Sequence, residues 1–240
     1  MFDYLANPTR FRKISAALLP VVVLVSLIAF TLGLYLAFFA SPADYQQGET
    51  VRIMYIHVPA AWMAMLTYIL MAVAAVFYLV WRHPLADIGA RAMALPGAGF
   101  AFITLLTGSF WGRPMWGTWW VWDARLTSML ILFFLYLGYM ALADGFERAE
   151  RGSKPACLLL LVGIINLPII KFSVDWWNTL HQGSSVLRLD GPSIDPAMLK
   201  PLLVMALAML GWFIAITILR MSRLIMQRRI TNLKARKSWL

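Results

Sequence analysis

Charged residues are scarce in this chain. Asp, Glu, Lys and Arg make up 13% of its 240 residues, whereas hydrophobic residues make up 61%. Soluble domains carry about 25% charged and ~45–50% apolar residues, and disordered segments are poorer still in apolar side chains. The composition therefore excludes both classes and predicts an integral membrane protein.

Cysteine and nucleotide-binding motifs are also lacking. Cys157 is the one cysteine, so an internal disulfide is excluded, and neither CxxC nor CxxCH occurs. The chain is thus neither a dithiol oxidoreductase nor a c-type cytochrome. Because no GxxxxGKS/T loop is present, it cannot hydrolyse ATP by P-loop chemistry. We interpret Cys157 as a small hydrophobic residue near a helix end.

Positive charge is in excess, with a net charge of +10. The densest basic segment follows the last apolar run and comprises Arg220, Arg223, Arg228, Arg229, Lys234, Arg236 and Lys237. A basic segment beside a membrane span is typical of a cytoplasmic anchor on anionic lipid. The charge therefore favours membrane lipid, and not nucleic acid, as the partner of this segment.

Six apolar runs approach or exceed the ~20 residues of helix that cross a bilayer. They are 15–40, 58–81, 90–110, 126–143, 156–172 and 198–219. The first exceeds the ~7–15 residues of a signal-peptide core, so we expect an uncleaved span. In the fifth, we expect the helix to bend or end at Pro168. The predicted fold class is all-α: one polytopic domain, 1–240, of six transmembrane helices with short interfacial helices in the outer loops.

Lysine and arginine predict the orientation of these spans. If the N-terminus is inside, most of the 21 Lys and Arg residues lie in inner segments. Both termini are then cytoplasmic. His57 and His181 fall in the first and third outer loops, whereas His83 falls in an inner loop, where we interpret it as a solvated residue.

The outer loops are rich in tryptophan. The second carries Trp111, Trp116, Trp119, Trp120 and Trp122, and the third carries Trp176 and Trp177. An interfacial aromatic belt is the ordinary alternative, but it explains scattered tryptophans better than a dense run on one face. Asp123 ends the run just before span four, where it can act as the N-cap.

These residue types match the parts of a haem. The iron takes neutral imidazole as an axial ligand, which His57 and His181 can supply. The macrocycle packs against aromatic side chains, and the propionate carboxylates pair with the planar guanidinium of an arginine. The outer-face candidates for the propionates are Arg125, then Arg52, followed by Arg113 and Arg188.

Two local patterns refine the histidines. Val174, Trp177 and His181 are spaced i, i+3, i+7, which predicts a short interfacial helix with all three on one stripe. His57 directly precedes span two, where a proline favours the first helical turn. Because the positive end of that helix disfavours imidazolium, we expect a neutral His57 that can bind metal.

The segment WGTWWVWDARLT, residues 116–127, resembles the WWD signature of the haem-handling protein family. HVPAAW at 57–62, NLPI at 166–169 and WWNTLHQG at 176–183 are similar to CcmC-type components of cytochrome c maturation system I. The resemblance covers essentially the whole chain, and the six-span layout agrees with it.

The resemblance implies that haem b binds non-covalently at the periplasmic face of a bacterial inner membrane, over the tryptophan-rich loop. His57 and His181 would be its axial ligands. The chain would hand haem to a membrane-tethered CcmE-like chaperone. It would work beside a CcmA-like ABC-type ATPase, a CcmB-like membrane subunit and a small single-span CcmD-like subunit, as a delivery protein and not an enzyme.

Two alternatives stay open from the sequence. The chain could be the membrane subunit of an exporter that moves haem through its helices, which predicts polar groups deep in the spans. It could also be a membrane enzyme acting on lipid or quinone through Asp123, His57 and His181.

Overall fold

The computed structural model describes residues 7–146, 149–177, 179–183, 185, 186, 188 and 190–237. Within these ranges it contains no β-strand, and its α-helices are α1 (Pro8–Tyr35), α2 (Met54–Trp81), α3 (Pro84–Trp116), α4 (Ala124–Asp144), α5 (Ala149–Gly163), α6 (Asn166–Trp176) and α7 (Pro196–Lys237). A π-helical turn, Leu36–Ala40, ends α1, and a 3₁₀ helix, Glu49–Ile53, leads into α2.

Six segments are long and apolar enough to span a membrane: Pro8–Ala40, Glu49–Trp81, Pro84–Trp116, Ala124–Asp144, Arg151–Trp176 and Pro196–Lys234. The all-α, six-span prediction is confirmed. We call the end of the bundle that carries the loops before α2, α4 and α7 the tryptophan-rich end, and the opposite end the basic end.

The fifth span is broken, but before the proline that suggested a bend. Helix α5 ends at Gly163 and α6 begins at Asn166, so Pro168 lies in the first turn of α6, where a missing N–H costs little. The Asn166 side chain donates to the backbone carbonyl of Ser128 at 2.8 Å, which ties the break to α4.

The core is built from aromatic rings against small residues. Tyr136 donates its hydroxyl to the carbonyl of Ala64 at 2.7 Å and meets Tyr68 edge to face, with 5.3 Å between ring centroids. Its ring lies on Gly97, where an added Cβ would approach it to 2.4 Å. Cys157 is fully buried in the same core, as the sequence indicated.

Helix α1 packs mainly on α7, through small residues. Gly33 of α1 lies against Met205 of α7. Gly211 of α7 lies so close to Ser26 of α1 that a Cβ added at Gly211 would lie 2.1 Å from the Ser26 hydroxyl. The other faces of α1 expose apolar side chains, as expected for a helix in contact with lipid.

An ionic network closes the basic end. Arg91 is buried and donates to Asp87 at 3.3 Å and to Asp144 and Ser153 at 2.9 Å each, which joins α3, α4 and α5. Arg228 donates to the other oxygen of Asp87 and so fixes α7 to the same point.

Three local predictions at the tryptophan-rich end need correction. Helix α3 continues to Trp116, so Trp111 and Trp116 lie on the helix and not in a loop. His57 lies in the first turn of α2, because the helix begins at Met54. The predicted helix over 174–181 is wrong, since α6 ends at Trp176 and Trp177 is extended.

Candidate functional site

A cavity of about 320 Å³ lies at the tryptophan-rich end between α2, α3, α4 and α6. Its volume is near the lower end of the range for small-molecule sites, ~300–1,000 Å³. Its lining is mostly apolar with a few polar groups, as is typical of such sites. The lining includes five of the predicted site residues: His57, His181, Trp111, Trp116 and Arg125.

His57 is positioned by α3. Its Nδ1 lies 3.0 Å from the hydroxyl oxygen of Thr107, and its ring meets Trp111 edge to face with 5.6 Å between centroids. Gly108 leaves the space that the ring occupies, because an added Cβ would lie 3.1 Å from Cε1 of His57. Thr107, Gly108 and Trp111, on one face of α3, therefore enclose the ring on that side.

His181 is positioned by the start of α4. Its Nδ1 lies 2.8 Å from Oδ2 of Asp123, whose Oδ1 accepts from the backbone N–H of Leu126 at 2.7 Å. Trp116 meets the imidazole edge to face with 4.9 Å between centroids. Asp123 thus acts as the expected N-cap and at the same time orients a histidine from the third loop.

The hydrogen bonds assign the same tautomer to both rings. Thr107 donates its own proton to the carbonyl of Ile103 at 2.6 Å, so its oxygen accepts from Nδ1–H of His57. The Asp123 carboxylate accepts from Nδ1–H of His181 in the same way. In a neutral imidazole the other nitrogen, Nε2, then carries a free lone pair.

Burial favours this neutral form of His181. Desolvation lowers the pKa of His181 below its ordinary value, and this outweighs the opposing effect of Asp123. A neutral imidazole is the form that binds a metal. Two such rings on one cavity can therefore supply two Nε2 ligands.

These donors do not suit a bare metal ion. No group of three or more His, Cys, Asp or Glu residues that could hold an ion is found in the part of the chain that the structure describes. A zinc ion usually takes about four ligands, three or more of them from the protein. A haem iron already carries the nitrogens of its ring and takes only axial ligands from the protein, so the donor set fits a haem.

Of the two favoured arginines, only Arg125 lines the cavity. Its guanidinium lies 3.4 Å from Ser173 Oγ, 3.2 Å from the carbonyl of Gln182 and 3.4 Å from the carbonyl of Lys171. These long bonds connect α4 to α6 and to the loop that carries His181. Arg52 instead bonds to Glu49 and to the carbonyl of Ala37.

Five predicted tryptophans lie outside the cavity lining: Trp119, Trp120, Trp122, Trp176 and Trp177. Trp119 packs on Phe110, and Trp176 and Trp177 pack on each other. Trp120 and Trp122 line a separate apolar groove that also includes Leu130 of α4. The tryptophans of the predicted platform therefore divide into an inner pair, Trp111 and Trp116, and an outer group.

Sequence reasoning missed Thr107, Gly108 and Gln47. Gln47 accepts from the indole N–H of Trp111 at 3.0 Å and also lines the cavity. If the third helix had been extended past residue 110, its periodicity would have placed Thr107, Gly108 and Trp111 on one face. No comparable signal marks Gln47, because its partner is far along the chain.

A family model described as "CcmC: Heme exporter protein C" matches residues 1–236. The chain is 54% identical over 230 residues to "Heme exporter protein C" of Bradyrhizobium diazoefficiens, which covers 96% of this chain and 87% of the relative. It is 49% identical over 222 residues to the protein of that name in Escherichia coli, covering 92% and 89%. It is 52% identical over 171 residues to a putative cytochrome c biosynthesis ccmC-like mitochondrial protein of Marchantia polymorpha, covering 71% and 72%.

Proposed function

The chain belongs to the CcmC family of haem exporter proteins, and we propose that it binds haem through His57 and His181 and passes it on for cytochrome c maturation. One observation carries the proposal. The two histidines line one cavity, and each donates Nδ1–H to a protein acceptor, which leaves Nε2 for iron. Such partners fix the tautomer and the ring orientation of histidine ligands.

The remaining lining supports the same cargo. The rings of Trp111 and Trp116 would contact the macrocycle, and Arg125 would attract a propionate. Binding would be non-covalent with respect to cysteine chemistry, because a thioether link to haem needs an accessible thiol and Cys157 is fully buried in the core. Haem b is therefore the proposed cargo.

The outer tryptophans support a role in delivery. Trp122 is 76% exposed, and Trp119, Trp176 and Trp177 are also exposed. Rigid aromatic side chains are enriched at protein interfaces. We assign this outer group to docking of a CcmE-like chaperone, which would receive the haem at the cavity.

The proposed setting is the bacterial inner membrane, with the tryptophan-rich end in the periplasm and the basic end in the cytoplasm. The chain acts as a single domain that binds and delivers haem, and not as an enzyme. A CcmA-like ATPase would supply the energy, beside CcmB-like and CcmD-like membrane subunits. The core favours delivery over movement through this chain, because the packed pair Tyr68 and Tyr136 lies one turn of α2 below cavity residue Met65.

The test is an absorption spectrum of the detergent-purified protein after expression with ample haem. We expect the wild type to show a six-coordinate haem band that shifts or fades in His57→Ala and in His181→Ala. His83→Ala is the matched control, because His83 precedes α3 at the basic end, and its spectrum should equal that of the wild type. A band unchanged in both cavity variants would refute the ligand assignment.

A further inference from the structure

The two cavity histidines have acceptors of different charge. Nδ1 of His57 faces the hydroxyl of Thr107, which is neutral, whereas Nδ1 of His181 faces the carboxylate of Asp123. A hydrogen bond to an ionised acceptor is about twice as strong as one to a neutral acceptor. A carboxylate behind a histidine also makes its other nitrogen a stronger donor to metal. The two Nε2 lone pairs are therefore unequal before any cargo binds.

The hydroxyl of Thr107 cannot take over the role of a carboxylate. Its proton is committed to the carbonyl of Ile103 at 2.6 Å, so it offers His57 only a neutral lone pair. Asp123, in contrast, is held in place by the N–H of Leu126 and is almost fully buried, with 8% of its side chain exposed. Burial strengthens its interaction with His181, because less solvent screens it.

The backbones of the two histidines also differ. His57 lies in the first turn of α2, a helix that packs against α3 and α7. His181 is itself non-helical and is held through Asp123, Trp116 and the bond from Arg125 to Gln182. A packed helix keeps its ligand in place, so an iron that moves outward strains the bond to His57, whereas no helical hydrogen bonds fix the backbone at His181.

Both differences favour the same order of dissociation. We propose that His57, supported by Thr107, dissociates from the iron first when haem is handed on. His181, supported by Asp123, stays bound, and we call it the retaining ligand. This proposal rests on the proposed function. In the step, the bond between iron and Nε2 of His57 breaks, and the electron pair returns to Nε2. The iron keeps its oxidation state, and one axial position opens while His181 stays bound.

The first experiment compares single-ligand variants. His57→Gly and His181→Gly are purified with haem, and the loss of haem to excess apomyoglobin is followed by absorbance. We expect His57→Gly to keep five-coordinate haem, to regain a six-coordinate spectrum with imidazole, and to lose haem at least about tenfold more slowly than His181→Gly. Equal rates, or faster loss from His57→Gly, would overturn the proposal.

A second experiment tests the acceptors. Carbon monoxide binds reduced haem only after an axial ligand leaves, so its binding rate reports dissociation of the weaker ligand. We expect Thr107→Val, which lacks the acceptor, to bind carbon monoxide several-fold faster than the wild type, and Thr107→Ser, which keeps it, to match the wild type. Equal rates for Thr107→Val and Thr107→Ser would contradict a positioning role for the hydroxyl.

A third comparison covers the case in which His181→Gly does not fold. His57→Gly combined with Asp123→Asn should then lose haem at least about tenfold faster than His57→Gly alone, because the retaining ligand has lost its carboxylate. No difference between them would overturn the proposal. Failure of the proposed function looks different, since the wild type would then carry no histidine-ligated haem.

Discussion

Asp123 and His181 are joined by a hydrogen bond of 2.8 Å that links the start of α4 to the third loop. The other oxygen of the same carboxylate caps α4 through Leu126. One side chain therefore serves a local purpose, the helix terminus, and a long-range one, the orientation of a proposed iron ligand.

The two roles of Asp123 can be separated by substitution. Serine is about as good an N-cap as aspartate, but its single short hydroxyl cannot also reach His181. We expect both Asp123→Ser and Asp123→Ala to weaken haem affinity by about 10- to 100-fold. Asp123→Ala should lower the free energy of unfolding by about 1 kcal/mol more than Asp123→Ser does, because it loses the cap as well. Haem titration and thermal unfolding of the haem-free protein measure the two effects, and unchanged haem affinity in Asp123→Ser would refute the orienting role.

Gly108 provides the second prediction, because the His57 ring occupies the space of its missing side chain. The Cβ of Gly108→Ala would lie 3.1 Å from Cε1 of His57, so the imidazole must shift, and its proposed bond to iron would lengthen or tilt. We expect an altered haem spectrum and faster binding of carbon monoxide to the reduced protein.

Gly99 offers a matched control on the same helix, since no atom lies within 4 Å of a Cβ added there. Gly99→Ala should leave the haem spectrum unchanged and stabilise α3 slightly, because alanine is the better helix former by about 0.5–1 kcal/mol. If the two alanine variants gave the same spectrum, Gly108 would have no part in placing His57.

The bundle and its cavity histidines could be predicted from the sequence, but the details around them could not. Long apolar runs report contact with lipid, so six spans followed directly from them. The same criterion ended the third helix at residue 110, because Gly112, Arg113 and Pro114 lower the hydropathy. Backbone hydrogen bonding does not require apolar side chains, and the helix runs on to Trp116, where Gly117 ends it with a φ of 75°.

The third loop shows a different limit. The spacing of Trp177 and His181 matched one helical stripe, but His181 is held by Asp123, which lies 58 residues earlier in the chain. A buried bond to a carboxylate overrides a weak local preference, and such a pairing leaves no periodic signal. For the same reason the sequence could not divide the tryptophans into an inner pair and an outer group.

That division leads to a third prediction. Trp116 contacts the His181 ring and lines the cavity, whereas Trp122 is exposed outside it. We expect Trp116→Leu to reduce the haem retained after purification several-fold. Trp122→Leu should retain haem as the wild type does but transfer it more slowly to the chaperone. Haem stoichiometry and covalent haem on the chaperone are the readouts, and loss of retained haem in Trp122→Leu would place that residue in the site.

The two favoured arginines form a matched pair for the fourth prediction. Arg125 lines the cavity and bonds the carbonyl of Gln182, next to His181, whereas Arg52 bonds residues outside the cavity lining. Arg125→Gln should weaken haem binding by about tenfold or more, through loss of the propionate contact and of the loop attachment. Arg52→Gln should bind haem with wild-type affinity, as measured by titration. The reverse order of affinities would transfer the propionate role to Arg52.

The fifth prediction separates folding from haem binding. Gly97 lies under the ring of Tyr136, where a Cβ would approach Cε1 to 2.4 Å, well inside van der Waals contact. Gly97→Ala should therefore destabilise the bundle by about 1–3 kcal/mol, the usual effect of overpacking a core. The ring lies one turn or more below the cavity, so the folded fraction should keep the wild-type haem spectrum. Gly99→Ala again serves as the control, because the same substitution in open space should not lower the midpoint of thermal unfolding. A Gly97→Ala protein as stable as Gly99→Ala would show that α3 and α4 are not packed as closely as these contacts require.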